Sequence, residues 1–272
     1  MAGSSDQSEW FRTRLVGHRT WAIDDNGQDT MYLVVGSERC LLVDTGWGVG
    51  DLPGLVASLT SLPVVVMNTH GHPDHACGNG QFSEVHVAEA DEPLVRQFLS
   101  VETRRRIWEN DILRGPFPRG FSFDTWTTSA AASLVPIRDG HIFDLGDRKL
   151  RAISVPGHTP GSLCLLDWEA RFLLTGDSIL AGPIWLHLDE STPLREFLTS
   201  LRRLQSFGGE FDHMLPAHGE LPLSRQTLSD LIAGVERILD GKIVGTEEKT
   251  FAGDGLRCDF GSCGLVYRPD RL

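Results

Sequence analysis

The chain has 272 residues, and its 37 acidic residues outnumber its 25 lysines and arginines, which gives a formal net charge of −12. This charge argues against a nucleic-acid-binding protein, which needs a basic surface to neutralise phosphates, and against docking on an anionic membrane leaflet. With 40% hydrophobic and 23% charged residues, the composition is that of a globular protein. No apolar run approaches the roughly 18 residues of a membrane helix, so membrane insertion is not expected.

The N-terminal residues 1–9 are small, polar and acidic, and we expect a flexible tail there. They lack the basic start and apolar run that a secretory signal requires. The five cysteines are scattered and odd in number, which is typical of reduced thiols. These features predict a cytoplasmic protein.

The first half of the chain alternates strand-like and helix-like segments. Short apolar runs bounded by turn residues predict strands at 31–35, 40–43, 64–67 and 85–88. Apolar residues at helical spacing predict helices at 52–59 and 90–99.

The segment 100–129 differs from its flanks because it concentrates five arginines and five aromatic residues. One interpretation is an amphipathic helix with a packed loop. The other is a cap over an active site that meets an anionic or acyl substrate, and both can hold at once. We therefore predict one domain over 10–272 with a helical or loop insertion at about 91–130.

The second half predicts strands at 142–145, 150–155, 163–167, 172–175 and 213–215, and helices at 193–207 and 223–239. Short strands and turns follow Lys242. Runs of strands followed by helices in each half favour two packed sheets with helices outside. A doubly wound parallel sheet is the alternative.

The strongest chemical signal is a loop directly after the strand at 64–67. It holds three histidines and one carboxylate within six residues: His70, His72, Asp74 and His75. Imidazole and carboxylate groups are ligands that suit zinc, iron and manganese. Because side chains two residues apart share a face of extended chain, two of these ligands point together, and the following turn directs the other two elsewhere. A split of two plus two predicts a pair of neighbouring metal ions.

Three further candidate ligands each follow a predicted strand. His158 lies in the sequence Gly-His-Thr-Pro-Gly-Ser, Asp177 in Thr-Gly-Asp, and His218 in Pro-Ala-His-Gly. Each alone is more typical of a turn residue than of a ligand. Together with the first loop they offer five histidines and two aspartates, enough for two ions and a water.

These motifs, with the preceding Val-Asp-Thr-Gly at 43–46, resemble the metallo-β-lactamase superfamily. The resemblance implies an α+β fold, an αββα sandwich of two mixed β-sheets with outer helices. It also implies that His70, His72 and His158 hold one ion, that Asp74, His75 and His218 hold the other, and that Asp177 bridges them. The expected cofactors are two Zn²⁺ per chain, with Fe or Mn accepted by the same ligands.

Asp177 narrows the activity that the resemblance implies. Zinc β-lactamases usually carry cysteine or serine there, whereas a bridging aspartate is similar to glyoxalase II, lactonases and acyl-thioester hydrolases. We therefore expect a metal-bridging hydroxide to cleave an ester-type bond of a small acyl substrate, first an acyl-CoA-like thioester and next a lactone. Asp74 is the candidate that orients the nucleophile and carries its proton. His187 is a candidate oxyanion donor, with an ordinary packed histidine as the alternative.

Two other activities fit the same motifs. A phosphodiesterase would use the same pair of ions. A persulfide dioxygenase-like oxidoreductase would hold a single iron with His70, His158 and Asp177. The arginines at 104–106 favour a substrate whose carrier bears phosphates.

Overall fold

The computed structural model describes residues 10–129 and 132–272, so the tail predicted at 1–9 lies outside the described residues. The chain forms two compact units. The first comprises the described residues up to Ile137 together with Asp144–Arg148, and the second comprises Arg138–Phe143 and Lys149–Leu272. The single domain with an insertion at about 91–130 stays a prediction.

The first unit is built on a seven-stranded mixed sheet. Its strands follow chain order in space: β1 (Phe11–Gly17), β2 (Thr20–Asp25), β3 (Thr30–Val35), β4 (Cys40–Val43), β5 (Val64–Met67), β6 (Glu84–Ala88) and β7 (Ser133–Ile137). Strands β1 to β4 pair antiparallel through short turns, and β4 to β7 pair parallel. Parallel neighbours need a crossover connection, which explains why helices begin only after β4.

Five helices accompany this sheet: α1 (Leu52–Leu59), α2 (Pro73–Ala76), α3 (Glu92–Phe98), α4 (Val101–Glu109) and α5 (Phe123–Thr127). Three of them begin at a side chain that accepts a bond from a free backbone N–H of the first turn. These caps are Asp51, Ser100 and Ser122. The segment 100–129 is thus a helix, a loop and a short second helix, which agrees with the first interpretation of its sequence.

The second unit contains two sheets. A six-stranded sheet has the order β14-β13-β11-β10-β9-β8, and a four-stranded sheet has the order β12-β17-β16-β15. Their strands in chain order are β8 (Ile142–Asp144), β9 (Lys149–Ser154), β10 (Leu163–Asp167), β11 (Phe172–Gly176), β12 (Gly182–Leu186), β13 (His213–Pro216), β14 (Leu223–Ser224), β15 (Thr246–Thr250), β16 (Gly253–Asp259) and β17 (Cys263–Tyr267). The helices are α6 (Leu194–Ser206) and α7 (Arg225–Leu239).

Each unit has its own hydrophobic core. In the second unit, β10 and β11 are buried along their whole length, and α6 buries the apolar stripe that its sequence predicts. In the first unit, apolar residues of β2 to β6 pack with those of α1 and α3. Among the described residues, no helix is long and apolar enough to cross a membrane.

Five strands are absent from the sequence prediction: β1, β2, β7, β12 and the two-residue β14, which lies where the start of a helix was predicted. β1 is an edge strand with four exposed residues in a row, and β2 carries two aspartates, so neither shows a continuous apolar run. β7 and β12 each contain a proline, and a proline within an apolar run argues against a strand when the sequence is judged by propensity alone.

Candidate metal centre

The loop after β5 brings together the four candidate ligands of the first unit. His70 Nε2 lies 3.0 Å from His72 Nδ1, and His75 Nε2 lies 3.6 Å from Asp74 Oδ2. The rings of His70 and His75 are 4.0 Å apart between centroids. The three histidines are buried and Asp74 is half-buried. Clustering so many titratable groups away from water is costly unless a cation compensates them.

A single helical turn gives this loop its shape. Pro73 occupies the first position of α2, where its missing N–H costs nothing. The backbone N–H groups of His75 and Ala76 then donate to the His72 carbonyl, at 3.1 and 3.0 Å. The turn therefore folds Asp74 and His75 back over the extended residues that precede them.

Asp44, directly after β4, orients the loop. It accepts hydrogen bonds from the Thr69 backbone N–H at 2.7 Å and the Thr69 hydroxyl at 2.8 Å. Its Oδ2 also lies 3.0 Å from His75 Nδ1. Because a carboxylate oxygen accepts, the His75 hydrogen sits on Nδ1, and Nε2 keeps its lone pair for a metal. Asp44 has a φ of 66°, a left-handed backbone that aspartate tolerates better than most residues.

The His75 carbonyl is held equally firmly. It accepts from the Thr45 N–H at 2.9 Å, the Thr45 hydroxyl at 3.0 Å and the Asn68 side-chain amide at 2.9 Å. These donors flank the two strands β4 and β5, so the position of His75 is tied to the sheet itself. The ligand loop is therefore anchored at both its backbone and its side chains.

In the second unit, the three candidate ligands follow β9, β11 and β13. His158 Nε2 lies 3.5 Å from Asp177 Oδ2, and His218 Nε2 lies 3.4 Å from Asp177 Oδ1. β11 and β13 are parallel neighbours, so Asp177 and His218 leave the same edge of the sheet. Each oxygen of Asp177 faces a different histidine, which suits a carboxylate shared by two ions.

A backbone carbonyl fixes the ring of His158. Its Nδ1 lies 2.7 Å from the Trp185 carbonyl oxygen in β12. A carbonyl can only accept, so Nδ1 carries the hydrogen and Nε2, on the side of Asp177, is the candidate ligand atom. The Ser191 hydroxyl also donates to the His158 carbonyl at 2.9 Å.

Pairs of donor atoms within each unit stand at separations expected for neighbouring ligands of one metal ion. Ligands bound at zinc distances stand about 3.3 Å from one another around a tetrahedron. The four measured separations, 3.0 to 3.6 Å, lie around that value. The nearby Cys77 is a poor competitor as a ligand, because burial raises the pKa of its thiol to about 12.

His187, the candidate oxyanion donor, lies just beyond β12 and is 3% exposed. Its Nε2 is 2.9 Å from the Thr250 hydroxyl oxygen at the end of β15. Burial lowers the pKa of its imidazole, which favours the neutral ring. A catalytic role for His187 stays a prediction, and this contact matches the alternative of a packed histidine.

One substrate-binding prediction is wrong. Arg104 was expected to meet substrate phosphates, but it is 2% exposed and donates to the carbonyls of Trp126 at 2.6 Å and Cys77 at 2.9 Å. Its guanidinium also lies 5.2 Å from the centroid of the Trp126 ring. Arg106 pairs with Glu102 on the same helix at 2.6 Å. Arg104 therefore anchors the segment 100–129 and does not reach solvent.

Sequence reasoning missed two groups that orient the ligands. Asp44 has the same signature as Asp177, an acidic residue directly after an apolar strand, and could have been selected on that ground. The Trp185 carbonyl is backbone, so no side-chain pattern could have revealed it.

Comparison with known proteins agrees with this geometry. The protein-family model that describes the metallo-beta-lactamase superfamily matches residues 24–218 of this chain. The acyl-coenzyme A thioesterase MBLAC2 of Bos taurus is 27% identical over 231 residues, covering 77% of this chain and 81% of the relative. The atrochrysone carboxyl ACP thioesterase of Aspergillus terreus is 26% identical over 234 residues, covering 84% of this chain and 59% of the relative.

Among solved structures, the metallo-beta-lactamase from Pontibacter korlensis superposes with a TM-score of 0.58 at 17% sequence identity. The superposition covers 83% of this chain and 99% of the other. The predicted fold, an α+β sandwich with mixed sheets and accompanying helices, is thereby confirmed. The family match spans well over half of the chain, so this protein belongs to the metallo-β-lactamase superfamily.

Proposed function

We propose that this chain is a dinuclear metal hydrolase that cleaves thioesters of a small acyl substrate. Seven side chains would hold two divalent cations. His70, His72 and His158 form one set, Asp74, His75 and His218 form the other, and Asp177 serves both. The observation that carries the dinuclear assignment is the placement of the two Asp177 oxygens, 3.5 and 3.4 Å from different histidines.

Two divalent cations at this site would lower the pKa of a shared water toward ~7 and polarise the acyl carbonyl. The chain's own groups prepare that chemistry. Asp44 and the Trp185 carbonyl hold Nδ1–H of His75 and His158, so both Nε2 atoms stay aimed without rotation. The side chain of Asp74 is half-buried and therefore still reachable by substrate. Its carboxylate would accept a proton from the nucleophile and pass it to the leaving group.

The choice of a thioester rests on two considerations. Two relatives that align with most of this chain are named as thioesterases, one for acyl-coenzyme A and one for an acyl carrier protein. A thiolate is also a stable leaving group that needs little protonation, which suits a site whose proton carrier is a single carboxylate. Lactones and phosphodiesters are the competing substrate classes.

The test combines metal analysis with a substrate screen on the zinc-reconstituted protein. We expect two zinc ions per chain and faster hydrolysis of acyl-CoA thioesters than of lactones or phosphodiesters. Asp74→Asn should lower kcat for the thioester at least a hundredfold, since it removes the proton carrier and a ligand charge. The surface variant Asp147→Asn, whose carboxylate pairs with the exposed Arg19, should match wild type. One iron per chain with oxygen consumption on a persulfide would overturn the proposal.

A further inference from the structure

We propose that the tip of the β15–β16 hairpin and the end of β12 form an aromatic platform that binds the acyl group of the substrate. The platform consists of Phe251 and Trp185, and His187 positions it. This inference rests on the proposed thioesterase function and names the residues that select the acyl chain.

Phe251 and Trp185 form an edge-to-face pair. Their ring centroids are 5.1 Å apart, with an interplanar angle of 64°. Phe251 is 72% exposed, and Trp185 is half-buried. A phenylalanine held on a tryptophan at a hairpin tip, with most of its surface still in water, offers an apolar surface that a hydrocarbon chain can cover.

The platform is linked directly to a predicted metal ligand. The carbonyl of Trp185 is the group that accepts the hydrogen of His158 Nδ1, at 2.7 Å. Trp185 therefore contributes its side chain to the platform and its backbone carbonyl to the hydrogen bond that holds the ring of His158. An acyl group that lies on Trp185 would have its carbonyl end near His158.

The hairpin tip is fixed by hydrogen bonds that determine the tautomer of His187. The Thr250 hydroxyl donates to the Gly253 carbonyl at 2.8 Å and accepts from the Ala252 N–H at 3.1 Å. Since its only hydrogen is used, Thr250 must accept from His187, whose Nε2 lies 2.9 Å away. Within the described part of the chain, the buried Nδ1 of His187 has no hydrogen-bond partner. The imidazole therefore acts as a neutral donor that ties the tip of the hairpin to β12.

Close packing beneath the tip keeps it in register. A Cβ at Gly255 would lie 2.6 Å from Val266 Cγ1 and 2.9 Å from His187 Cβ, so only glycine lets β16 approach this closely. β15 and β16 lie after residue 218, where the family match ends. Phe251 therefore lies outside the matched region, whereas Trp185 and His187 lie within it.

Charge indicates which end of the substrate binds here. The charged groups that act most strongly on His187 are Glu190, Arg268, Asp254 and Glu248, three acids against one base. Arg268 is itself paired with Asp270 at 2.8 Å and Asp189 at 3.0 Å, and Lys249 faces Asp254 across the hairpin. Such surroundings repel a phosphate-bearing carrier and leave the platform to the uncharged acyl chain.

The test is steady-state kinetics of the zinc-reconstituted full chain with acetyl-, octanoyl- and palmitoyl-CoA. Phe251→Ala should raise KM for the two long substrates roughly tenfold, because it removes apolar contact area, while KM for acetyl-CoA and kcat stay within twofold. Val244→Ala is the matched control, since Val244 is 77% exposed and precedes the same hairpin. Equal KM for every chain length in Phe251→Ala and wild type would overturn the platform.

Two substitutions at His187 test its positioning role. His187→Ala should reproduce the long-chain KM increase, and His187→Gln, whose amide can still donate to Thr250, should restore most of the loss. A fall of kcat with acetyl-CoA in both variants would instead indicate direct action on the reacting atoms and overturn the positioning role. Wild type that cleaves no thioester would refute the proposed function. Wild type that cleaves all three, with no change of profile in Phe251→Ala, would refute only the platform.

Discussion

Asp44 illustrates how one carboxylate can decide the chemistry of a neighbouring ligand. It binds both polar groups of Thr69 and the Nδ1 side of His75, so the lone pair of His75 Nε2 is fixed in direction. Thr69 in turn lies 3.1 Å from Nδ1 of His70. A single aspartate thus orients two candidate ligands from a position in which it binds no metal itself.

We expect Asp44→Asn to weaken zinc binding by about 10–100-fold, the usual cost of losing a group that orients a ligand histidine. An amide can present its NH₂ toward His75 Nδ1–H and favour the wrong tautomer. Competition with a chromophoric chelator measures the change in Kd. Asp147→Asn serves as the control. Unchanged zinc affinity in Asp44→Asn would show that the rings are held by packing alone.

Asp25 is a second residue whose environment sets its charge. Burial raises the pKa of its carboxyl to about 6, although the Trp47 N–H and the Trp10 indole donate to it. The side chain also requires glycine at position 46, where a Cβ would lie 2.4 Å from Asp25 Oδ2. The folded chain therefore binds a proton at Asp25 more tightly than a solvent-exposed aspartate would.

A raised carboxyl pKa means that the folded chain binds the proton more tightly than the unfolded chain, whose pKa is 3.8. The stabilisation is complete below that value and is lost as the pH rises through about 6. We expect wild type to lose on the order of 3 kcal/mol relative to Asp25→Asn between acid and neutral pH. Urea unfolding of both proteins across this range measures it. If the free energies of unfolding of the two proteins differed by the same amount at every pH, the raised pKa of Asp25 would be contradicted.

At the scale of elements, α4 and α5 depend on one buried cation. The guanidinium of Arg104 joins α4 to the carbonyl of Trp126 in α5 and to the carbonyl of Cys77, two residues after His75. The indole of Trp126 donates to the Trp47 carbonyl at 2.6 Å. The arginine-rich composition of this segment therefore has a structural component, which its sequence pattern alone did not reveal.

Arg104→Met should destabilise the protein by about 2–4 kcal/mol, because it leaves two buried carbonyls without their donor. The free energy of unfolding in urea is the measurement. Arg105→Met, on the exposed face of the same helix, should change it by less than about 0.5 kcal/mol. Equal effects of the two substitutions would mean that the carbonyls find other donors.

At the scale of the whole molecule, the proposed ligands come from four separate segments of the chain, around residues 70–75, 158, 177 and 218. Ions that bind the folded chain only must stabilise it, by about 2.7 kcal/mol for each ion present at a hundredfold excess over its Kd. We expect a chelator to lower the thermal midpoint of wild type and added zinc to restore it. Added zinc should raise the thermal midpoint of Asp177→Asn much less than that of Asp147→Asn. The same midpoint with and without zinc in wild type would argue against the ligand assignment.

The sequence by itself was sufficient for the family, the mixed sheets and the candidate ligands. The strands and the candidate ligands follow from local rules: apolar runs such as 64–67 and 172–175 form strands, and candidate ligands two to five residues apart share one turn. The family and its mixed sheets follow from the resemblance of the motifs. The helix at 52–59 matched α1 at both ends, because Asp51 and Pro53 mark its start and an apolar stripe defines its face.

Tertiary structure decided what depends on residues distant in sequence. Arg104 is buried because Trp126 and Cys77 surround it, the Trp185 carbonyl meets His158 across 27 residues, and Phe251 reaches Trp185 only through the pairing of β16 with β17 and of β17 with β12. Local propensity carries no information about such contacts. The candidate ligands are therefore encoded in short motifs, whereas the orientation of their side chains and the surface beside them arise only when the sheets have formed.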